Sequence, residues 1–317
     1  MMDKGIFFFF VNNVDLSLLD VRICGYKMIK VPLVSNSGLA RIGRNYFNYS
    51  IDGIDTHIKS FIYYEGNDQY FLAFVKQAPS KRYYGNQELF RSFILTLMLF
   101  KPSGICMSQG FYINESGGST VIHINNEFRY YNGTLLSCLK LDSDEITELE
   151  RFHPQLEKYV NNHDDKILNN MIKIWLEAYP IEAVSIKCVG LVTILEMLSD
   201  NRKNIKRNIT SGIVALLTNS DNDTIMLTRQ TRELYKIRSK YVHEGRLISK
   251  ESLNDAIIFS SAVIKRFIEL NVTIGVDVES FRKALNFLAN DKPFMQHHLQ
   301  KIKKFEPENL ELDSANI

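Results

Sequence analysis

The chain has 317 residues, 45% of them hydrophobic, a length that exceeds one compact core and makes two domains the natural expectation. A formal net charge of +2 and a pI near 8.2 exclude bulk attraction to polyanions, so any nucleic-acid surface must come from local clusters of Lys and Arg. Cys24, Cys106, Cys138 and Cys188 stand far apart with no C-x-x-C pair; this argues against a zinc ribbon or a disulfide framework and reads as buried thiols in a reducing cytoplasm.

The apolar run at 6–11 is only six residues long, is followed by Asn12 and Asn13, and lacks a small-residue cleavage site. It reads as a strand, not a signal peptide. The apolar stretches at 92–100 and 189–198 fall short of the roughly 20 residues a bilayer crossing needs, and the second contains Glu196. No membrane span is expected. Up to residue 141 the chain is rich in aromatic and β-branched residues cut by Gly and Asn, the mark of strands joined by tight turns. Residues 58–65 and 69–76 read as a hairpin, and 128–131 and 134–138 as a second one around Asn132-Gly133, a pair suited to a type I′ turn. Between them, Leu89, Phe90, Phe93, Ile94, Leu97 and Met98 recur at helical spacing over 86–100, with Lys101-Pro102-Ser103-Gly104 ending the segment. That helix is expected to pack across the sheet.

The character changes at Asp142. Ser143, Asp144 and Glu145 can start a helix by meeting its unpaired N–H groups, and it runs toward Val160 with a kink or break expected at Pro154. Helical periodicity then dominates over 165–179, 184–199, 203–218, 223–244, 250–271 and 278–289, with Pro, Gly, Asn or Asp between segments. The last stretch passes from Lys301, Lys303 and Lys304 to Glu306, Glu308, Glu311 and Asp313, a loose charged tail. The predicted fold class is α+β: a β-rich domain with one packed helix at 1–141, a helical linker at 142–163, a helical bundle at 164–292 and the tail at 293–317.

Signatures of P-loops, dinucleotide folds, zinc proteases and serine hydrolases are absent. His57, His123, His153 and His163 stand alone without ligand-spaced partners, and His297 and His298 sit in the tail, so neither a metal nor another cofactor is expected. The most informative segment is 231–246. Its helical stripe of Leu234, Ile237, Tyr241 and Val242 contains Arg238, about 40° from Leu234 on the helical wheel. A guanidinium there needs a partner or an interface, and Glu196, inside an otherwise apolar helix, can supply the carboxylate. His243 follows near the helix end before Gly245, where carbonyls favour its protonated form.

Cleaving RNA through its own 2′-hydroxyl takes a base, an acid for the leaving oxygen and a cation for the phosphorane charge, all within reach of His and Arg without a metal. Five residues of α-helix rotate by about 140°, so the two side chains diverge unless the helix end unwinds or two chains share one cleft. Residues 229–246 hold Arg229, Arg232, Lys236, Arg238, Lys240 and Arg246 against Glu233 and Glu244, a local cationic excess that can attract phosphate. Against this stands the plain structural reading, in which Arg238 pairs with a buried carboxylate and His243 caps a helix. The basic run Arg202, Lys203, Lys206, Arg207 reads as a solvated face, and Trp175 and Tyr179 as core or dimer packing residues.

Arg238-Ser239-Lys240-Tyr241-Val242-His243 resembles the motif of the HEPN superfamily, an Arg followed after four to six residues by a His, and its surroundings are most similar to the Apea-like branch. The likeness spans about 160–272, with the segment 191–200 two helices earlier in the expected order. The resemblance implies a helical bundle that dimerises through its motif helices, acting as a metal-independent endoribonuclease in a toxin or antiviral-defence role and leaving 2′,3′-cyclic phosphate and 5′-hydroxyl ends. By this carry-over Arg238 and His243 are the catalytic pair, with Ser239 and Glu196 in support. Lys236, Lys240 and Arg246 would contact RNA. The first 141 residues resemble, loosely, the sensing or regulatory halves found upstream of such bundles, where a protein or nucleic-acid trigger would act. The alternative is a dimerising scaffold or an RNA- or protein-binding module without catalysis. The expected location is the cytoplasm.

Overall fold

The computed structural model describes residues 4–32, 63–65, 68–79, 83–114, 119–122, 137–162, 165–178, 181, 183–199, 205–217 and 221–287. The chain is α+β and divides into two compact units, Met1–Glu157 and Lys158–Ile317.

In the first unit, β1 (Lys4–Asn12) is central because its run of phenylalanines can only be satisfied by burial on both faces. Phe7, Phe9, Phe10 and Val11 are all buried. Around it the sheet runs β2 (Arg22–Ile23), β3 (Tyr26–Pro32), β5 (Asp68–Pro79), β1, β6 (Cys106–Asn114), β7 (Ser119–Ile122), with β4 (Tyr63–Glu65) also paired to β5 and every ladder antiparallel. β4 and β5 pair as the expected hairpin, but Glu65 lies opposite Asp68, so Asp68, read from sequence as part of the turn, belongs to β5. The second expected hairpin, at 128–138, lies outside the described residues except for its last two positions. A tight hairpin not read from the sequence joins β2 to β3: Ile23 faces Tyr26, and the two residues between them, Cys24 and Gly25, have φ of 53° and 79°. Both positive φ values match a type I′ turn, whose twist suits the strands. Cys24 tolerates it with its N–H donating to Glu150 Oε1 at 3.2 Å and its carbonyl accepting from Lys76 Nζ at 3.3 Å.

Helix α1 (Tyr83–Phe100) lays Phe93 on the sheet. The ring stacks on Tyr26 with centroids 3.9 Å apart and meets Phe9 and Phe74 edge-on. Helix α2 (Ser143–Asn162) opens with a capping box one residue earlier than expected: Asp142 Oδ1 accepts the Glu145 N–H, and Glu145 Oε2 accepts the Asp142 N–H. The helix runs unbroken through Pro154. Burial of Leu149, Phe152, His153, Leu156 and Tyr159 along one stripe outweighs a proline cost on the order of 3 kcal/mol. Helix α2, in the span read from sequence as a helical linker, thus carries a buried stripe, and the division between the two units falls within it.

The second unit is a bundle of α3 (Lys166–Ala178), α4 (Val184–Glu196), α5 (Ile205–Leu217), α6 (Asp221–Glu244), α7 (Lys250–Ile274) and α8 (Val278–Phe287). Helix α4 is apolar nearly all round and is therefore internal, with Cys188, Leu191, Val192, Ile194 and Leu195 buried against α7, α3 and α6. Trp175 is fully buried, so it belongs to the core; Tyr179 lies outside the described residues. One carboxylate starts two helices. Asp165 Oδ1 accepts the N–H groups of Ile167 and Leu168 in α3, and its Oδ2 accepts that of Val278 in α8 at 2.8 Å. The thiols of Cys106 and Cys188 are buried as expected, but Cys138 is exposed.

Candidate functional site

Helix α6 carries the candidate residues. It stays helical through Glu244 and ends where Gly245 adopts φ +69°, its N–H donating to Tyr241 O at 3.0 Å. This αL cap explains why the glycine follows the motif. It also means the helix end does not unwind, so the divergence of about 140° between Arg238 and His243 within one chain persists.

The two faces of α6 differ. Leu227, Thr231 and Leu234 are buried toward α4, α5 and α7. Arg238 shares this side: its Nη2 lies 3.2 Å from Glu196 Oε2, with the two side chains 23% and 20% exposed. Burial raises the Glu196 carboxyl while Arg238 pulls it back down, the balance expected of a half-buried ion pair. Arg238 Nε is buried without a hydrogen-bond partner among the described residues. On the outer side Arg229, Arg232, Lys236 and His243 are exposed, while Ser239 and Lys240 are half-buried. Lys236 Nζ lies 3.4 Å from Glu233, and Arg246 Nε 2.8 Å from Glu244. The structure thus brings Arg238 to Glu196 and leaves His243, Lys236 and Arg246 on the surface. Arg229 and Arg232 belong to the cationic excess of the sequence but not to its candidate RNA contacts; the signal for them is the succession Arg229, Arg232, Lys236, Lys240, His243 at steps of three or four residues.

The first unit holds a separate polar group in its interior. His153 Nδ1 is 2.8 Å from Thr96 Oγ1, whose own hydroxyl donates to Ser92 O. The imidazole must therefore donate from Nδ1. That leaves Nε2 as an acceptor 3.3 Å from Glu157 Oε1. Burial, with Lys76 second, pulls His153 down to about 4, and burial raises Glu157. Both shifts favour the uncharged forms of the two groups. The cluster satisfies itself, which marks it as structural. In the second unit Lys187 on α4 is fully buried, and burial pulls its ammonium down to about 7.

Among the described residues no group of three or more His, Cys, Asp or Glu is placed to hold a metal ion, and no helix is long and apolar enough to cross a membrane. Comparison with protein-family models, curated proteins and solved structures finds no match to this chain.

Proposed function

We propose that the chain is a metal-independent endoribonuclease of the HEPN type acting as a homodimer, with Arg238 and His243 as its catalytic pair and Ser239 and Glu196 in support. The observation that carries this reading is His243, exposed in the capped last turn of a helix whose outer face is cationic. An exposed imidazole at this place can take a proton from a 2′-hydroxyl or give one to a leaving 5′-oxygen. Arg238, fixed by Glu196, would stabilise the phosphorane charge. Because the two side chains diverge within one helix, the reading takes His243 of one copy with Arg238 of another. The products would be 2′,3′-cyclic phosphate and 5′-hydroxyl ends, in keeping with a cytoplasmic toxin or antiviral-defence effector whose first unit answers a protein or nucleic-acid trigger.

A second reading has its own observation. The Arg238–Glu196 pair is what a bundle needs to tolerate a buried charge, so the helical unit also fits a non-catalytic dimerising scaffold or binding module. Incubation of wild-type and His243→Ala protein with end-labelled RNA in EDTA separates the two. Cleavage to cyclic phosphate ends that the substitution abolishes supports the ribonuclease; no cleavage by either protein leaves the scaffold.

A further inference from the structure

On α6 the side chains of Arg229, Arg232, Lys236, Lys240 and His243 fall within an arc of about 80°, and four of the five are exposed while Lys240 is half-buried. Arg238 lies about 160° from the middle of that arc. The row is about 20 Å long, and successive cations rise by about 4.5–6 Å, a step comparable to that between consecutive phosphates along one strand. Among the described residues only Lys236 in this row is in an ion pair, with Glu233 at 3.4 Å. Both partners are about half exposed, so that contact yields readily to a phosphate.

We infer that this row is a track for the backbone of a single RNA strand, with Arg229, Arg232, Lys236 and Lys240 holding phosphates on one side of the link that meets His243. The inference rests on the ribonuclease reading for its substrate and adds where the strand runs. A single strand fits better than a duplex for two reasons. Glu233 and Glu244, both exposed, line one border of the row, and an α-helix seated in a major groove faces phosphates on both flanks. At the far end Ile225 and Met226 are 71% and 51% exposed, apolar surface that an unstacked base can use and a stacked one cannot.

The test uses the full chain and a fluorescent 2′-O-methyl RNA strand, which keeps every phosphate but cannot be cleaved through its 2′-oxygen. Binding is followed by anisotropy across a salt series for wild type, for Arg229→Glu/Arg232→Glu, and for Lys206→Glu/Arg207→Glu. The last pair is exposed on α5 and changes net charge equally; thermal melts confirm that both variants are folded. The expected result is a loss of about 10- to 100-fold for the α6 variant, with its log–log salt slope reduced by about 1 to 2, and less than about 3-fold for the α5 variant. Equal losses in both variants, no binding by wild type, or tighter binding of duplex DNA than of the strand would overturn the track. Strand binding through α6 together with intact unmodified RNA would instead remove the ribonuclease reading and leave the track in place.

Discussion

The two units treat their ionisable groups in opposite ways. The sheet unit folds His153, Thr96 and Glu157 inward, each bonded to another, whereas the helical unit spreads Arg229, Arg232, Lys236 and His243 over the outside of one helix. A buried, mutually satisfied cluster fixes a core and has little capacity left for a ligand. An exposed cationic row stabilises nothing by itself and is free to bind. On the ribonuclease reading proposed above the chemistry lies on α6, and the contrast turns on how each unit responds when a charge is removed.

The largest effect is expected at Asp165, among the described residues the one carboxylate that breaks the pattern by being buried in the helical unit. Asp165→Ala leaves three N–H groups at two helix starts without their acceptor and should cost about 3 kcal/mol in chemical denaturation; a loss under about 1 kcal/mol would mean that water replaces the carboxylate at no cost. Lys187→Met tests the other exception. Its folded pKa of about 7 lies below its ordinary 10.5, so the burial cost is full below pH 7 and is relieved as pH rises from 7 to 10.5. The substitution should stabilise by about 1–3 kcal/mol at neutral pH and flatten that rise.

In the sheet unit the sign is the same and the window is different. His153 is held at about 4 against an ordinary 6.5, so the unfolded chain takes up the proton first. Stability is full above pH 6.5 and falls on acidification toward 4, by about 2–3 kcal/mol. Melts of His153→Gln across that range should show a shallower fall, and an unchanged slope would assign the acid sensitivity to other groups. The smallest and most discriminating contrast lies on α6. Arg238→Ala strands a half-buried carboxylate and should cost about 1–2 kcal/mol, the buried-pair figure being reduced for exposure, while His243→Ala, at an exposed position, should stay within about 0.5 kcal/mol. If His243→Ala destabilised as much as Arg238→Ala, the histidine would be a structural cap and not a reacting group.

The sequence alone determined the α+β class, the order of the helices and the residues that make α6 unusual, because amphipathic period, turn residues and caps are local and leave their mark within a few positions. The Arg238 problem was legible in the same way, as a charge set within an apolar stripe. Three features needed the tertiary structure. The persistence of α2 through Pro154 depends on a stripe buried against distant residues. The double cap at Asp165 joins residues 113 positions apart. The partner of Arg238 is 42 positions away, and only packing decides that it turns inward to Glu196 while the cationic row turns outward. Local physics chooses elements and marks residues as costly; which neighbours meet that cost is settled by long-range packing, to which a pattern of spacings carries no direct signal.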